Sequence, residues 1–270
     1  MPELPEVETV VRGLAPALAG ARIERVEVLR ADLIGKGDSA GFVQGLVGRR
    51  VEDVSRRAKN VVVRTDDPVL VVNLGMTGRL LLSANGETPS HLGVRFGLDR
   101  GRELLYRDVR RFGVLSLLSP REWRLREQRM GLEPLSQEFT PRRLHQLTRG
   151  SRVALKQWLM DQRKLAGVGN IYASEALHRA GIHPGRRAGS LSRPRAGRLQ
   201  RAILAVLEEA VERRGTTLRD YRDASGEPGQ FRDRLRVYGR EGEPCGECGR
   251  AIRRIVQQNR STFYCPGCQR

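Results

Sequence analysis

All four cysteines of this 270-residue chain fall in its last 26 residues, spaced Cys245-x2-Cys248-x16-Cys265-x2-Cys268. Two such pairs supply four thiolates to one tetrahedral Zn²⁺, and metal binding explains how a segment too short for its own hydrophobic core folds at all. Two disulfides are the competing pairing, but nothing in the sequence indicates the oxidising compartment they need. Between the pairs, residues 252–256 and 261–264 read as strands joined by Gln257-Gln258-Asn259-Arg260. Arg260 then stands at or beside a hairpin tip, where its plainest reading is a solvated turn residue.

A second candidate for chemistry lies at the other end. Removal of Met1, usual before a small second residue, makes Pro2 an N-terminal secondary amine. Such α-amino groups have pKa values of about 7.7–8.0 against about 10.4 for lysine, so a useful fraction is unprotonated at neutral pH. This amine can attack an electrophilic sugar carbon and leave an iminium ion. Glu3 is adjacent and Glu6 opens the following helix, so acid–base partners are within reach. Taken alone, the same residues also describe an ordinary helix start.

These groups must be held by elements, and the spacing predicts which. Apolar residues at Val7, Val10, Val11, Leu14 and Leu18 predict a helix over 6–18, with Pro5 and the acidic residues suited to its first turn. Short β-rich runs follow at 23–29, 61–64, 69–74, 79–82, 94–98, 103–106 and 114–118, punctuated by Gly, Asp66-Asp67-Pro68 and Asn85-Gly86. They predict an antiparallel sandwich or barrel in a domain of residues 1–130. Helical spacing returns at 141–147, 153–160, 171–180 and 192–213, with Ala166-Gly167-Val168-Gly169-Asn170 as a connector. Residues 215–240 are polar and glycine-containing and read as a long mobile loop. The expected division is 1–130, 131–240 and 241–270, in an α+β multidomain chain.

Charge narrows the partner. Forty-nine Lys and Arg face 31 Asp and Glu, giving +18 and a pI near 11.1, and only Lys36, Lys59, Lys156 and Lys164 are lysines. Some arginine excess follows from genome composition, but a protein this basic is drawn to polyanions, of which nucleic acids are the commonest. With 39% hydrophobic residues spread along the chain, disorder is excluded. No run approaches the roughly 18–20 consecutive apolar residues of a bilayer helix, and the first ten residues are acidic, unlike a signal peptide. A cytoplasmic, nucleoid-associated, monomeric protein without a membrane partner is expected.

Five motifs in order along the chain are similar to bacterial formamidopyrimidine-DNA glycosylases. They are Met-Pro-Glu-Leu-Pro-Glu-Val-Glu-Thr at 1–9, Leu74-Gly75-Met76-Thr77-Gly78, Arg110-Arg111-Phe112-Gly113, Gly167-Val168-Gly169-Asn170-Ile171-Tyr172-Ala173-Ser174-Glu175, and the zinc pairs. The resemblance implies an N-terminal β-sandwich behind a leading helix, a helix-two-turn-helix domain and a zinc-ribbon hairpin with one structural zinc. It further implies excision of oxidised purines from damaged double-stranded DNA, followed by strand cleavage.

By position, the resemblance makes Pro2 the nucleophile at C1′ and Glu3 the general acid–base, with Glu6 and Glu175 in support. Lys59 and Arg260 join the catalytic set near the lesion phosphates. Asn170, Tyr238, Lys156, Arg111 and His91 become DNA contacts. Met76, Arg110 and Phe112 become the side chains that fill the gap left by a flipped base, although by residue type Met76 and Phe112 equally suit a core. Residues of about 216–235 resemble the loop over a flipped 8-oxoguanine. Two positions depart from the family pattern: Asn73 where a histidine is usual, and Val109 where a proline is frequent. An endonuclease VIII-like enzyme for oxidised pyrimidines and a non-catalytic zinc-ribbon module are the rival readings.

Overall fold

The structure, a computed structural model, describes residues 2–35, 38–83, 86, 88–218 and 221–270. Met1, Lys36, Asn85 and, within the 216–235 segment, Arg219 and Asp220 lie outside the described residues. The chain divides into two compact units, Met1–Gln128 with Arg213–Gln230, and Arg129–Glu212 with Phe231–Arg270.

In the first unit, helix α1 spans Leu4–Leu18, two residues longer at its start than the apolar spacing predicts. The reason is a reciprocal capping box: Glu3 is the N-cap, and Glu6 Oε2 accepts the Glu3 N–H at 2.8 Å. Among the described residues eight strands follow: β1 (Ile23–Val28), β2 (Val51–Arg57), β3 (Asn60–Thr65), β4 (Val69–Asn73), β5 (Gly78–Ser83), β6 (Leu92–Leu98), β7 (Glu103–Asp108) and β8 (Val114–Leu118). They form two antiparallel four-stranded sheets, ordered β1-β6-β7-β5 and β2-β3-β4-β8. One core fills both, with Val10 and Leu14 of α1 packed among Val63, Val72, Phe96 and Tyr106, so the unit is a sandwich.

Strand β2 escapes the periodicity argument because only Val51 and Val54 in it are buried. It is a sheet edge, where charged side chains are tolerated and block pairing with other chains. Helix α2 (Ser39–Leu46), capped by Asp38 through the Gly41 N–H, and α3 (Pro120–Gln128) are also unpredicted. Each is short and buries only one or two large side chains, Phe42 and Leu46 in α2 and Trp123 in α3, too few to show a period.

The second unit contains α4 (Pro141–Thr148), α5 (Leu155–Met160), α6 (Asn170–Arg179) and α7 (Arg193–Glu212), then the hairpin β9 (Arg253–Gln257) and β10 (Arg260–Tyr264). Thr140 caps α4 through the Arg143 N–H, and Pro141 suits its first turn. Its core holds Trp158 and Tyr172, with the Tyr172 ring 5.8 Å from Phe231. No helix among the described residues is long and apolar enough to cross a membrane.

Segment 215–240 is less loop-like than its composition predicts. Thr216, Asp223, Ala224, Phe231, Leu235 and Val237 are buried, and Ala224 belongs to the core of the sandwich unit. Residues 213–230 therefore group with the first unit, and 231–240 with the second.

The fully buried Leu14 gives a direct test of this packing. Leu14→Ala should cost about 2–5 kcal/mol in chemical denaturation, while Leu125→Ala on exposed α3 should change stability by less than about 0.5 kcal/mol.

Candidate functional site

The start of α1 is built around Glu6. While Oε2 accepts from Glu3, Oε1 accepts the Thr216 N–H at 2.7 Å, and the Tyr221 hydroxyl donates to the Glu6 carbonyl at 3.2 Å. Burial, reinforced by the Glu6 charge, pushes the Tyr221 pKa upward and keeps its hydroxyl a donor. Asp223 accepts from the Ser225 and Glu227 N–H groups at 2.9 and 3.0 Å and pairs with Arg214, folding the rest of the segment. Pro2 and Glu3 are both buried here, at the positive end of the helix.

Lys59 occupies the two-residue turn between β2 and β3, where Arg57 pairs with Asn60 and Ala58 has φ +56°. A positive φ at the first turn position is ordinarily a glycine property. Here the turn is held by Arg56 Nη1 to the Ala58 carbonyl at 3.0 Å and Asn60 Nδ2 to the Arg57 carbonyl at 3.1 Å. Asn73, one of the two departures, donates to Asn60 Oδ1 at 3.1 Å and accepts the Gly75 N–H at 3.0 Å. It joins this turn to the Met76 loop.

Met76 and Phe112 are not core residues: they are 38% and 56% exposed, beside the exposed Val109. The Arg110 guanidinium lies 4.7 Å from the Phe112 ring centroid, a cation–π contact. Arg111 has φ +54° and an exposed ion pair with Asp32 at 3.2 Å, which at such a site contributes little. His91, also at positive φ (+61°), is exposed at the start of β6.

The second unit assembles its own cluster. Asn170 opens α6 after the Gly169 N-cap, and its Nδ2 donates to the Tyr238 hydroxyl at 3.3 Å and the Ser261 carbonyl at 3.1 Å. Glu175, fully buried one turn along, accepts the N–H groups of Arg236, Val237 and Tyr238 at 2.9, 3.0 and 2.8 Å. Burial raises its pKa, and those three hydrogen bonds oppose the rise. Lys156, expected as a DNA contact, is only 1% exposed and donates to Ser261 O at 3.1 Å and Thr262 Oγ1 at 2.7 Å. It braces β10 from within the protein. Arg260 is exposed at the first position of β10, next to Gln258 and Asn259 at φ +47° and +57°, the pattern of a two-residue hairpin turn.

The four cysteine sulfurs lie within 4.8 Å of one another, with Cys248–Cys265 at 3.4 Å and Cys245–Cys268 at 3.9 Å. All four are free thiols, and tetrahedral Zn–S bonds of about 2.3 Å place sulfurs about 3.8 Å apart, so this set fits one zinc ion. His178 Nε2 lies 3.5 Å from Cys245 Sγ, and Gln269 bridges Cys265 N to the Ile182 carbonyl, docking the ribbon on the end of α6.

Sequence reasoning missed Thr216, Tyr221, Asp108 and Ser261. Thr216, Tyr221 and Ser261 act through contacts with residues far apart in sequence, and Asp108 through one such contact, with Thr77, beside three within five residues; no local motif announces them.

Three family models match the chain: the formamidopyrimidine-DNA glycosylase N-terminal domain at residues 1–115, its H2TH domain at 130–222, and a zinc finger found in FPG and IleRS at 242–270. Curated formamidopyrimidine-DNA glycosylases of Xanthomonas campestris and Beijerinckia indica are 47% and 46% identical to it, each over the full length of both chains. Among solved structures, a Lactococcus lactis FPG variant in complex with Fapy-dG-containing DNA superposes with a TM-score of 0.92 at 31% identity over 100% of both chains. The MutM (FPG) protein of Thermus thermophilus gives 0.89 at 42% identity, over 99% of this chain and 98% of the other.

Because zinc supplies the folding free energy of residues 245–268, a chelator or Cys265→Ser should unfold the hairpin. Circular dichroism and metal analysis should show that loss, while the melting of the sandwich unit stays within a few degrees of wild type.

Proposed function

The chain belongs to the formamidopyrimidine-DNA glycosylase family, and from that premise we propose how its own residues carry out glycosylase and lyase chemistry. It is a DNA glycosylase of base excision repair for oxidised purines, with the family's abasic-site lyase activity, acting on damaged duplex DNA and carrying one structural zinc ion. Full-length matches to enzymes of this name favour it over the endonuclease VIII-like reading, and the two formamidopyrimidine-DNA glycosylase domains ahead of the zinc finger favour it over a bare binding module. It works on the chromosome as a monomer, in the cytoplasm at the nucleoid.

The observation that carries the catalytic assignment is the capping box at Glu3 and Glu6. It fixes the first turn of α1 and so the residue before it, Pro2. With Met1 removed, the Pro2 nitrogen attacks C1′ of the damaged nucleotide as the bond to the base breaks and its proton passes to the departing base, and Glu3 protonates the ring oxygen O4′ so that the C1′–O4′ bond opens to an iminium. The resulting iminium acidifies the 2′ hydrogens, Glu3 shuttles protons, and successive β- and δ-elimination expel the 3′ and 5′ phosphates. Glu6 orients this turn and ties it to Thr216, giving the 213–230 segment a fixed root beside the nucleophile.

Reaching C1′ requires a base rotated out of the stack. Phe112 and Met76, exposed and apolar, are the wedge, and Arg110, held over the Phe112 ring, faces the partner base. Lys59, His91 and Arg111 contact phosphates from the first unit. In the second, Asn170, Tyr238 and Arg260 do so, with Lys156 and Glu175 holding them in place.

Borohydride should trap an iminium between the wild-type protein and a duplex carrying 8-oxoguanine opposite cytosine, and Pro2→Gly should reduce the adduct at least about a hundredfold. An undiminished adduct would move the nucleophile to a lysine. Glu3→Gln should bind lesion DNA but lose base excision, as single-turnover assays would show. Arg260→Ala, with native zinc content, should make the salt dependence of binding shallower by about one unit of slope. Replacing Phe112 by Ala should slow excision of a stacked lesion much more than cleavage at a preformed abasic site, measured side by side.

A further inference from the structure

Two loops carry the wedge, and both make the same crossing. Residues 74–77 lead from β4 in one sheet to β5 in the other, and residues 109–113 return from β7 to β8. Strand pairing brings them together at both ends, because Asn73 is opposite Val114 and Gly78 is opposite Asp108. At this crossing lies Asp108, 2% exposed, which no motif singles out. Its Oδ1 accepts the Thr77 hydroxyl at 2.5 Å and the Arg110 N–H at 3.2 Å. Its Oδ2 accepts the Gly113 N–H at 2.8 Å and the Tyr106 hydroxyl at 3.4 Å. Thr77 Oγ1 also accepts the Arg110 N–H, at 3.0 Å.

Thr77 is the neighbour of Met76, and Arg110 and Gly113 bracket Phe112. One carboxylate thus holds both loops immediately beside the wedge side chains. Nothing bulkier fits between them: a Cβ on Gly75, at φ +58°, would lie 2.5 Å from Gly113 N, and one on Gly113 would lie 1.7 Å from the Tyr106 hydroxyl oxygen. Buried, and accepting among the described residues from these four uncharged donors, the carboxylate depends on them, so moving either loop leaves it under-satisfied. Arg111 is held at positive φ in the middle of the turn, a conformation that requires such a clamp.

We infer that Asp108 is a positioning residue that couples the Met76 loop to the Arg110–Phe112 turn, so that the wedge enters DNA as one rigid body. This rests on the wedge role proposed above. Asp108 itself touches no DNA. It lowers the cost of base extrusion by ordering the wedge beforehand, in the way that a pre-organised loop binds more tightly than a mobile one.

The test pairs two substrates, a duplex with a stacked 8-oxoguanine and the same duplex with a preformed abasic site, and places 2-aminopurine beside the lesion to report unstacking. Asp108→Asn keeps the shape but presents an N–H to the donors on one side. It should slow single-turnover excision about tenfold or more, weaken the 2-aminopurine signal, and leave abasic-site cleavage within about twofold of wild type. Thr77→Val, which removes one donor and keeps the carboxylate, should act in the same direction, and Thr77→Ser should restore wild-type behaviour. The Thr77 pair decides the matter should Asp108→Asn fail to fold. Equal slowing on both substrates, or indistinguishable Val and Ser variants, would overturn the coupling. Failure of the wild-type protein to cleave the abasic duplex would instead overturn the catalytic reading.

Discussion

Carboxylates buried against backbone N–H groups are the interaction on which this molecule depends. Glu6 accepts from Glu3 and Thr216, Asp108 from Arg110 and Gly113, and Glu175 from Arg236, Val237 and Tyr238. In each case a single side chain satisfies amides in a segment with no regular partner. A hydrogen bond to a charged group in a low-dielectric site is stronger than a neutral one, and its loss leaves a buried charge unsatisfied. Segments fixed in this way keep their geometry without being part of a sheet or helix. The three carboxylates hold the root of the 213–230 segment, the loops that carry Met76 and Phe112, and the Tyr238 turn.

This use of acids has an electrostatic consequence. With 31 acidic residues against 49 basic ones, the chain carries a net charge of +18, and each carboxylate committed to amides is one fewer to pair with an arginine. Many of the ion pairs that do form, such as Arg111–Asp32, are exposed and weak. The resulting positive surface attracts a polyanion at long range and releases counterions on contact. In the proposed mechanism affinity comes from that field and selectivity from Met76, Phe112 and Pro2, so the two can be altered independently.

Backbone strain marks several of the proposed contact positions. Ala58, His91 and Arg111, and the pair Gln258 and Asn259, all take positive φ although none is glycine. Ala58 adjoins Lys59, Arg111 lies beside Phe112, and Gln258 and Asn259 precede Arg260, whereas His91, Arg100 and Arg214 take positive φ elsewhere. A non-glycine residue in this region costs about 1–2 kcal/mol and persists only where its surroundings hold it. At the wedge the clamp is Asp108, at Lys59 it is the Arg56 and Asn60 hydrogen bonds, and at Arg260 it is the β9–β10 ladder.

What the sequence determined by itself is local or covalent. The cysteine spacing specified the zinc site, because four thiolates on a short hairpin have few other arrangements. Apolar spacing specified α1 and most of the strands, and residue order marked Pro2 and Glu3 as candidates. Strand β2 and helices α2 and α3 were illegible because they bury too few side chains to show a period. Tertiary structure alone decided that Lys156 is buried, that Met76 and Phe112 point outward, and that Thr216 meets Glu6 across 210 residues. It also decided that Asp108 joins two loops. Each of those outcomes depends on which distant backbone amide or side chain arrives beside a residue, and a one-dimensional pattern carries no record of that arrival until strand pairing sets the register.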